Sequence, residues 1–269
     1  MKHEKAIFPP RFIHFFGPDG AGKSTQVNLL LKMLKSKGIR AKISWIRSPH
    51  TLAFFASMLL IRIGFYRVSL TSLGKIQDLP LAYRPKLKKN KLLGRPVSWG
   101  GDVNVNPWRD VFIDNKGNVI VCEKIPAIDR SRVLRSFWGL IELVSVLPLI
   151  LYRVYLQLLR GYVIIAERYV IDTVATIAYF MNNMGFLSSP IATVLLSCIP
   201  KKSKLIYLDS NYETIMKRRS YNVEVRSFIQ FQRMAYNILA KRLDALIIDT
   251  SQFSINETFN AILRNVRLA

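Results

Sequence analysis

The chain has 269 residues, half of them hydrophobic, which suffices for one large α/β domain or one domain carrying an insertion. Forty Lys and Arg against 17 Asp and Glu give a formal charge of +23, so the expected neighbours are anions: phosphorylated substrates, an anionic membrane surface or nucleic acid. Two distant cysteines, Cys122 and Cys198, and three scattered histidines suggest neither a disulfide framework nor a zinc site, and the opening MKHEKAIFPP is too polar for a secretory h-region.

In chain order, the first predicted element is a buried strand, RFIHFF (11–16), which runs into the loop GPDGAGKST. Gly17, Gly22, Lys23 and Ser24 meet the pattern G-x-x-x-x-G-K-[ST]. Glycines are needed there because consecutive backbone N–H groups must turn inward toward a β-phosphate, and a Cβ would block the approach. Lys23 supplies a mobile charge for the β- and γ-phosphates, and Ser24 a hydroxyl for Mg²⁺. The expected nucleotide cradle is therefore the run Gly17, Pro18, Asp19, Gly20, Ala21, Gly22, Lys23, Ser24 and Thr25, with ATP and Mg²⁺ as cofactors. STQVNLLLKMLKSKG follows, with Val27, Leu30, Leu31 and Leu34 at helical spacing and Gly38 as a C-cap.

Four more apolar runs read as buried strands: AKISWI (41–46), YVIIAE (162–167), KLIYLD (204–209) and ALIID (245–249). Helical segments separate them, which predicts a parallel five-stranded sheet with helices on both faces. SINETFNAILRNV is the last predicted helix, with Ser254 and Glu257 spaced as a capping box. Between about 68 and 130 the pattern breaks into an insertion, with a β-hairpin in VFIDNKGNVIVCEK closing at Asn115–Gly117. Six of the twelve residues Arg84–Arg95 are basic. Two apolar stretches, 51–65 and 137–161, are expected to be helices of the fold, with contact at a membrane surface as the rival reading; Glu142 and Arg153 interrupt the longer one.

Four of these blocks, GPDGAGKSTQ, VIIAERY, KLIYLDSNYETIMKRRS and LIIDTSQFSINETFNAI, stand in the order found in the thymidylate kinase family, which the chain resembles. The resemblance implies a P-loop NTPase-type α/β fold, phosphoryl transfer from ATP·Mg²⁺ to a small acceptor, one kinase domain over 1–269 with a lid at about 217–227, and a homodimer. Asp19 would face the acceptor, Glu167 would hold Mg²⁺ where the family usually has Asp, Arg168 would bridge donor and acceptor phosphates, and Tyr169 would line the acceptor pocket. Arg218, Arg219 and Arg226 are candidate lid arginines for the γ-phosphate. Asp209 and Asp249 also end apolar strands and are rival Mg²⁺ partners.

The acceptor stays open. Where the family carries an Asp-Arg pair and a Tyr-Gln pair that grip and read thymidylate, an ungapped count finds Ser145 and Val146, then Thr176 and Ile177. A pocket that reads a base by hydrogen bonds does not keep its specificity with apolar replacements. Compensating residues could come from the insertion, among them Trp99, Asp102, Asn104, Trp108 and Arg109. Thymidylate is the family default, another nucleotide is a second choice, and a lipid-linked, polyprenol or sugar acceptor at a membrane surface is the alternative. A module that uses ATP to dock on membrane or nucleic acid without small-molecule transfer is a further class, although nucleic acid is not the expected partner. The expected location is the cytoplasm, including the cytoplasmic face of a membrane.

Overall fold

Phe12–Phe16 forms strand β1, and all five of its side chains are buried, as an apolar run requires when both faces of a strand are covered. The computed structural model describes residues 10–75, 109–113, 116–219 and 226–266. The further strands are β2 (Ala41–Ser44), β3 (Tyr66–Lys75), β4 (Arg109–Ile113), β5 (Asn118–Pro126), β6 (Val163–Glu167), β7 (Lys204–Asp209) and β8 (Leu246–Asp249). The helices are α1 (Lys23–Ser36), α2 (Thr51–Arg62), α3 (Arg132–Ile150), α4 (Leu156–Leu159), α5 (Val170–Phe180), α6 (Pro190–Ser197), α7 (Tyr212–Arg219), α8 (Arg226–Arg242) and α9 (Ile255–Val266).

The five expected strands make one parallel sheet in the order β2-β6-β1-β7-β8. Strand periodicity sorts the core into two layers. Phe12 and Phe16 pack with Trp138, Val174 and Tyr236 beneath α3, α5 and α8, whereas Ile13 and Phe15 pack with Leu30, Leu34 and Ile262 beneath α1 and α9. Helices therefore cover both faces, and the protein is α/β. From β1 the chain crosses to β2, returns through β6 beside β1, then continues on the opposite side at β7. That reversal opens a crevice at the C-terminal ends of β1, β6 and β7, where an open α/β sheet binds its ligands.

Strand ends shift by a residue or two from expectation. The run 41–46 stops at Ser44, because Trp45 is half exposed and its carbonyl accepts from Arg153 Nη1 at 2.6 Å instead of continuing the ladder. In the insertion, β4 and β5 form the expected antiparallel hairpin, with Ile113 opposite Val119 and Gly117 at φ 77°. Sequence reading found two strands here; the structure adds a third, β3, which starts at Tyr66 directly after α2 and pairs antiparallel with β5. The Arg84–Arg95 run and Trp99, Asp102, Asn104, Trp108 and Asn115 lie outside the described residues. So does the middle of the expected lid, 220–225.

Both apolar stretches are helical. The longer begins at Arg132, earlier than expected, carries Pro148, and widens into a π-helical turn over Leu151–Tyr155 before α4. Proline has no N–H to give the carbonyl four residues back, and such a site accommodates a wider turn. Among the described residues, Val133–Leu159 is the one helix long and apolar enough to cross a membrane by length and composition, and only 33% of its most apolar window is buried.

Candidate active site

The glycine loop connects β1 to α1 across the crevice. Gly17 has φ 143°, and an added Cβ would lie 2.1 Å from the Leu208 carbonyl oxygen of β7, so only glycine lets the loop pass the sheet so closely. Gly22 caps α1 with a left-handed φ of 87°. The first turn of α1 has no side-chain cap and no acid, so the positive end of its dipole meets no negative side chain of its own turn, as suits an anion site. Lys23 is buried and folds back over the loop: Nζ donates to the carbonyls of Gly17 (2.7 Å) and Pro18 (2.8 Å) and lies 3.4 Å from Asp19 Oδ1.

Asp19 collects cations. Lys23, Arg168, Arg219 Nη1 at 3.2 Å and Arg47 Nη1 at 3.7 Å all approach its carboxylate. Four positive side chains around one negative one leave the mouth of the crevice cationic, a field suited to a polyanion. Arg168 is 3% exposed and holds a positive φ of 70°, a costly conformation of order 1 kcal/mol for a residue with a Cβ. Its N–H bonds Phe15 O at 3.2 Å, its carbonyl accepts from Ile46 N at 3.3 Å, and its guanidinium also reaches Asp172 Oδ1 at 3.4 Å.

Asp172 anchors this arrangement from below. It lies 3.3 Å from His14 Nε2 and accepts from Tyr236 Oη at 3.0 Å and the Tyr169 N–H at 3.1 Å. Burial pushes its carboxyl upward, but the His14 hydrogen bond and the Arg168, His14 and Lys23 charges outweigh that and hold it below the usual carboxylate value. Asp172 was not singled out from sequence: it sits three residues into a helix whose N-cap is Tyr169, not a residue with a short capping oxygen.

A cleft of about 410 Å³ opens beside the loop. On it the Ser24 hydroxyl donates to Glu167 Oε1, so the two oxygens expected to hold Mg²⁺ are adjacent. A hydroxyl plus a carboxylate at the strand end is a hard-oxygen set that suits Mg²⁺. The rival carboxylates are engaged: Asp209 accepts a two-pronged Arg233 fork at 2.8 and 2.8 Å, and Asp249 accepts from the N–H and hydroxyl of Ser251. No cluster of three or more His, Cys, Asp or Glu side chains placed to hold a metal occurs among the described residues.

Arg218 and Arg219, at the end of α7, both line the cleft. Arg219 reaches Asp19, while Arg218 ties α7 to the loop after β8 through Thr250 Oγ1 (2.9 Å) and Thr250 O (2.5 Å). Arg226 is elsewhere, its guanidinium over the Tyr212 ring at 5.0 Å. Tyr169, expected to line the acceptor pocket, is fully buried: it packs on Phe12 and His14, and its hydroxyl donates to Cys198 O at 2.8 Å. It is the N-cap of α5, with ordinary extended backbone.

Sequence reading also missed Arg47, Thr250 and the half-exposed Phe253 and Ile255, the last three being walls of the cleft. All four follow the C-terminal ends of β2 or β8, the one signal that could have found them. Of the positions where the resembled family reads its base, Val146 and Ile177 are buried in the apolar core, and Ser145 Oγ is occupied by Ile141 O and Ala53 N. Near them a separate buried group joins α3, α5 and the segment before α2. Ser48 Oγ donates to Glu142 Oε1 at 2.5 Å, the His50 N–H reaches Glu142 Oε2 at 3.4 Å, and His50 Nε2 meets Thr173 Oγ1 at 3.2 Å. Burial raises the Glu142 carboxyl to about 7 despite those bonds, and burial followed by Arg153 lowers His50 to about 4. No protein-family model matches this chain, and no curated protein matches it.

Proposed function

We propose that the chain is an ATP·Mg²⁺-dependent phosphotransferase of the P-loop kinase type, built like the thymidylate kinases it resembles. The observation that carries this reading is one crevice holding the glycine loop, the inward-folded Lys23, the Ser24–Glu167 oxygen pair and four cations around Asp19. Phosphoryl transfer asks little covalent chemistry of the protein, so positioning and neutralising charge are most of the catalysis.

The residues divide that work. The loop N–H groups and the α1 N-terminus hold phosphate oxygens, and Lys23 exchanges its Asp19 contact for the donor phosphates. Ser24 and Glu167 would hold Mg²⁺, which when bound would supply charge neutralisation for the phosphates. Phe253 and Ile255 offer an apolar wall for the face of the donor base. Arg168, fixed by Asp19 and Asp172, and Arg47 beside it face the acceptor side, where a guanidinium fork suits a phosphate better than a point charge. Arg219, beside Asp19, would stabilise charge on the transferring group.

The acceptor is a small phosphorylated or hydroxylated molecule. Thymidylate is the default from resemblance, but the burial of Val146 and Ile177 favours an acceptor not read through a base, such as a sugar or a lipid-linked one. Transfer from γ-labelled ATP, with thymidylate, sugar and polyprenol acceptors offered separately beside a Lys23→Ala control, tests the reading. ATP binding without transfer to any acceptor would leave a docking module as the better account.

A further inference from the structure

We infer that the outward face of α2 and α3 docks flat on an anionic phospholipid bilayer. On α3 and the turn after it, Val133, Phe137, Leu140, Val144, Leu147 and Leu151 are all exposed, and their spacing of four and three residues draws one stripe along the helix. On the neighbouring α2, which packs on α3, Phe55, Leu59 and the following Ile63 form a second stripe, 70%, 60% and 66% exposed. An ordinary monomer's largest apolar patch covers about 300–600 Å². Nine large side chains, each exposing on the order of 60–100 Å², reach or pass its upper end.

Charge decides between a lipid surface and a second copy. Arg62 closes α2, Arg130 precedes α3 and Arg153 follows it, all exposed. The segments 45–66 and 130–166 contain a single carboxylate, Glu142, and it is fully buried. A self-complementary contact would face arginines with no exposed acid of these segments, and the flanking Asp129 is already taken by Arg67 at 2.9 Å. Anionic headgroups supply that acid, and the apolar stripes take the acyl boundary, as in helices that lie in the interface plane. Spanning does not fit, because the inner side of α3 is committed to the fold through Trp138, Val146 and Ile150, and Glu142 bonds Ser48 there.

The test is flotation of the full chain with phosphatidylcholine vesicles, and with vesicles of two parts phosphatidylcholine to one part phosphatidylglycerol, at about 0.1 M salt. Binding is expected only to the anionic vesicles. The double variant Phe55→Glu, Val144→Glu should weaken it at least tenfold while melting temperature and ATP binding stay at the parent's values. No enrichment on anionic vesicles overturns the inference. Equal binding by the double variant also overturns it, and points to the basic run Arg84–Arg95 instead. A dimer in sedimentation that the same variant dissociates, without vesicle binding, overturns it in favour of a second copy.

Discussion

Glu142→Gln should change how stability depends on pH. The carboxyl is displaced from 4.5 to about 7, chiefly by burial, so the folded state keeps a proton that the unfolded chain has released. A displacement of that size corresponds to about 3 kcal/mol. Its sign follows from linkage: the contribution is fully present below the unfolded value and is lost as pH rises through about 7. His50 works the other way, since its lowered value of about 4 gives stability that is present above its unfolded value of 6.5 and lost as pH falls toward 4. The two nearly cancel in the parent between pH 4.5 and 6.5. Glutamine keeps a polar group beside Ser48 but cannot ionise, so it removes one side of that balance. Urea unfolding of parent and variant at pH 5 and pH 8 isolates it, because pH-independent costs of the substitution drop out of the difference. Stability of the variant relative to the parent should improve by about 2–3 kcal/mol from pH 5 to pH 8, or roughly 4–10 °C in melting temperature. A change below about 0.5 kcal/mol would refute the reasoning, showing that Glu142 ionises in the fold without penalty.

Lys23→Ala should lower transfer from labelled ATP by at least about 100-fold with an unchanged circular dichroism spectrum, and retained transfer would sink the assignment of the loop. Gly17→Ala should fail to fold or lose nucleotide binding, because its Cβ would lie 2.1 Å from a β7 carbonyl oxygen; a soluble variant with parental ATP affinity would contradict that contact. Asp172→Ala removes the buried acceptor of His14 and Tyr236 and takes a carboxylate from Arg168, which keeps Asp19, and should cost about 3 kcal/mol in urea unfolding. Ser254→Ala removes a cap that receives the Glu257 N–H at 3.3 Å, while Glu257 accepts the Ser254 N–H at 2.8 Å, and should cost about 1 kcal/mol in thermal unfolding with transfer unaffected.

Local chemistry alone determined a good deal. The five sheet strands were legible because each is a short, largely apolar run, buried on both faces at the centre of the sheet, and the glycine loop because phosphate-sized approach needs glycine at fixed spacing. The capping box of α9 and the hairpin at Gly117 are likewise contacts within a few residues. Tertiary structure decided everything that depends on residues distant in the chain. Asp172 became the anchor of Arg168 only because β1 brings His14, and α8 brings Tyr236, to the start of α5. Tyr169 went to the core because β1 brings Phe12 and His14 against its ring and the Cys198 carbonyl accepts its hydroxyl. Asp209 is engaged by the Arg233 fork, 24 residues away. The apolar run of α3 held two answers at once: its period buried one face around Glu142 and left the other to solvent, and which face met what was settled only when α2, α5 and α6 packed against it.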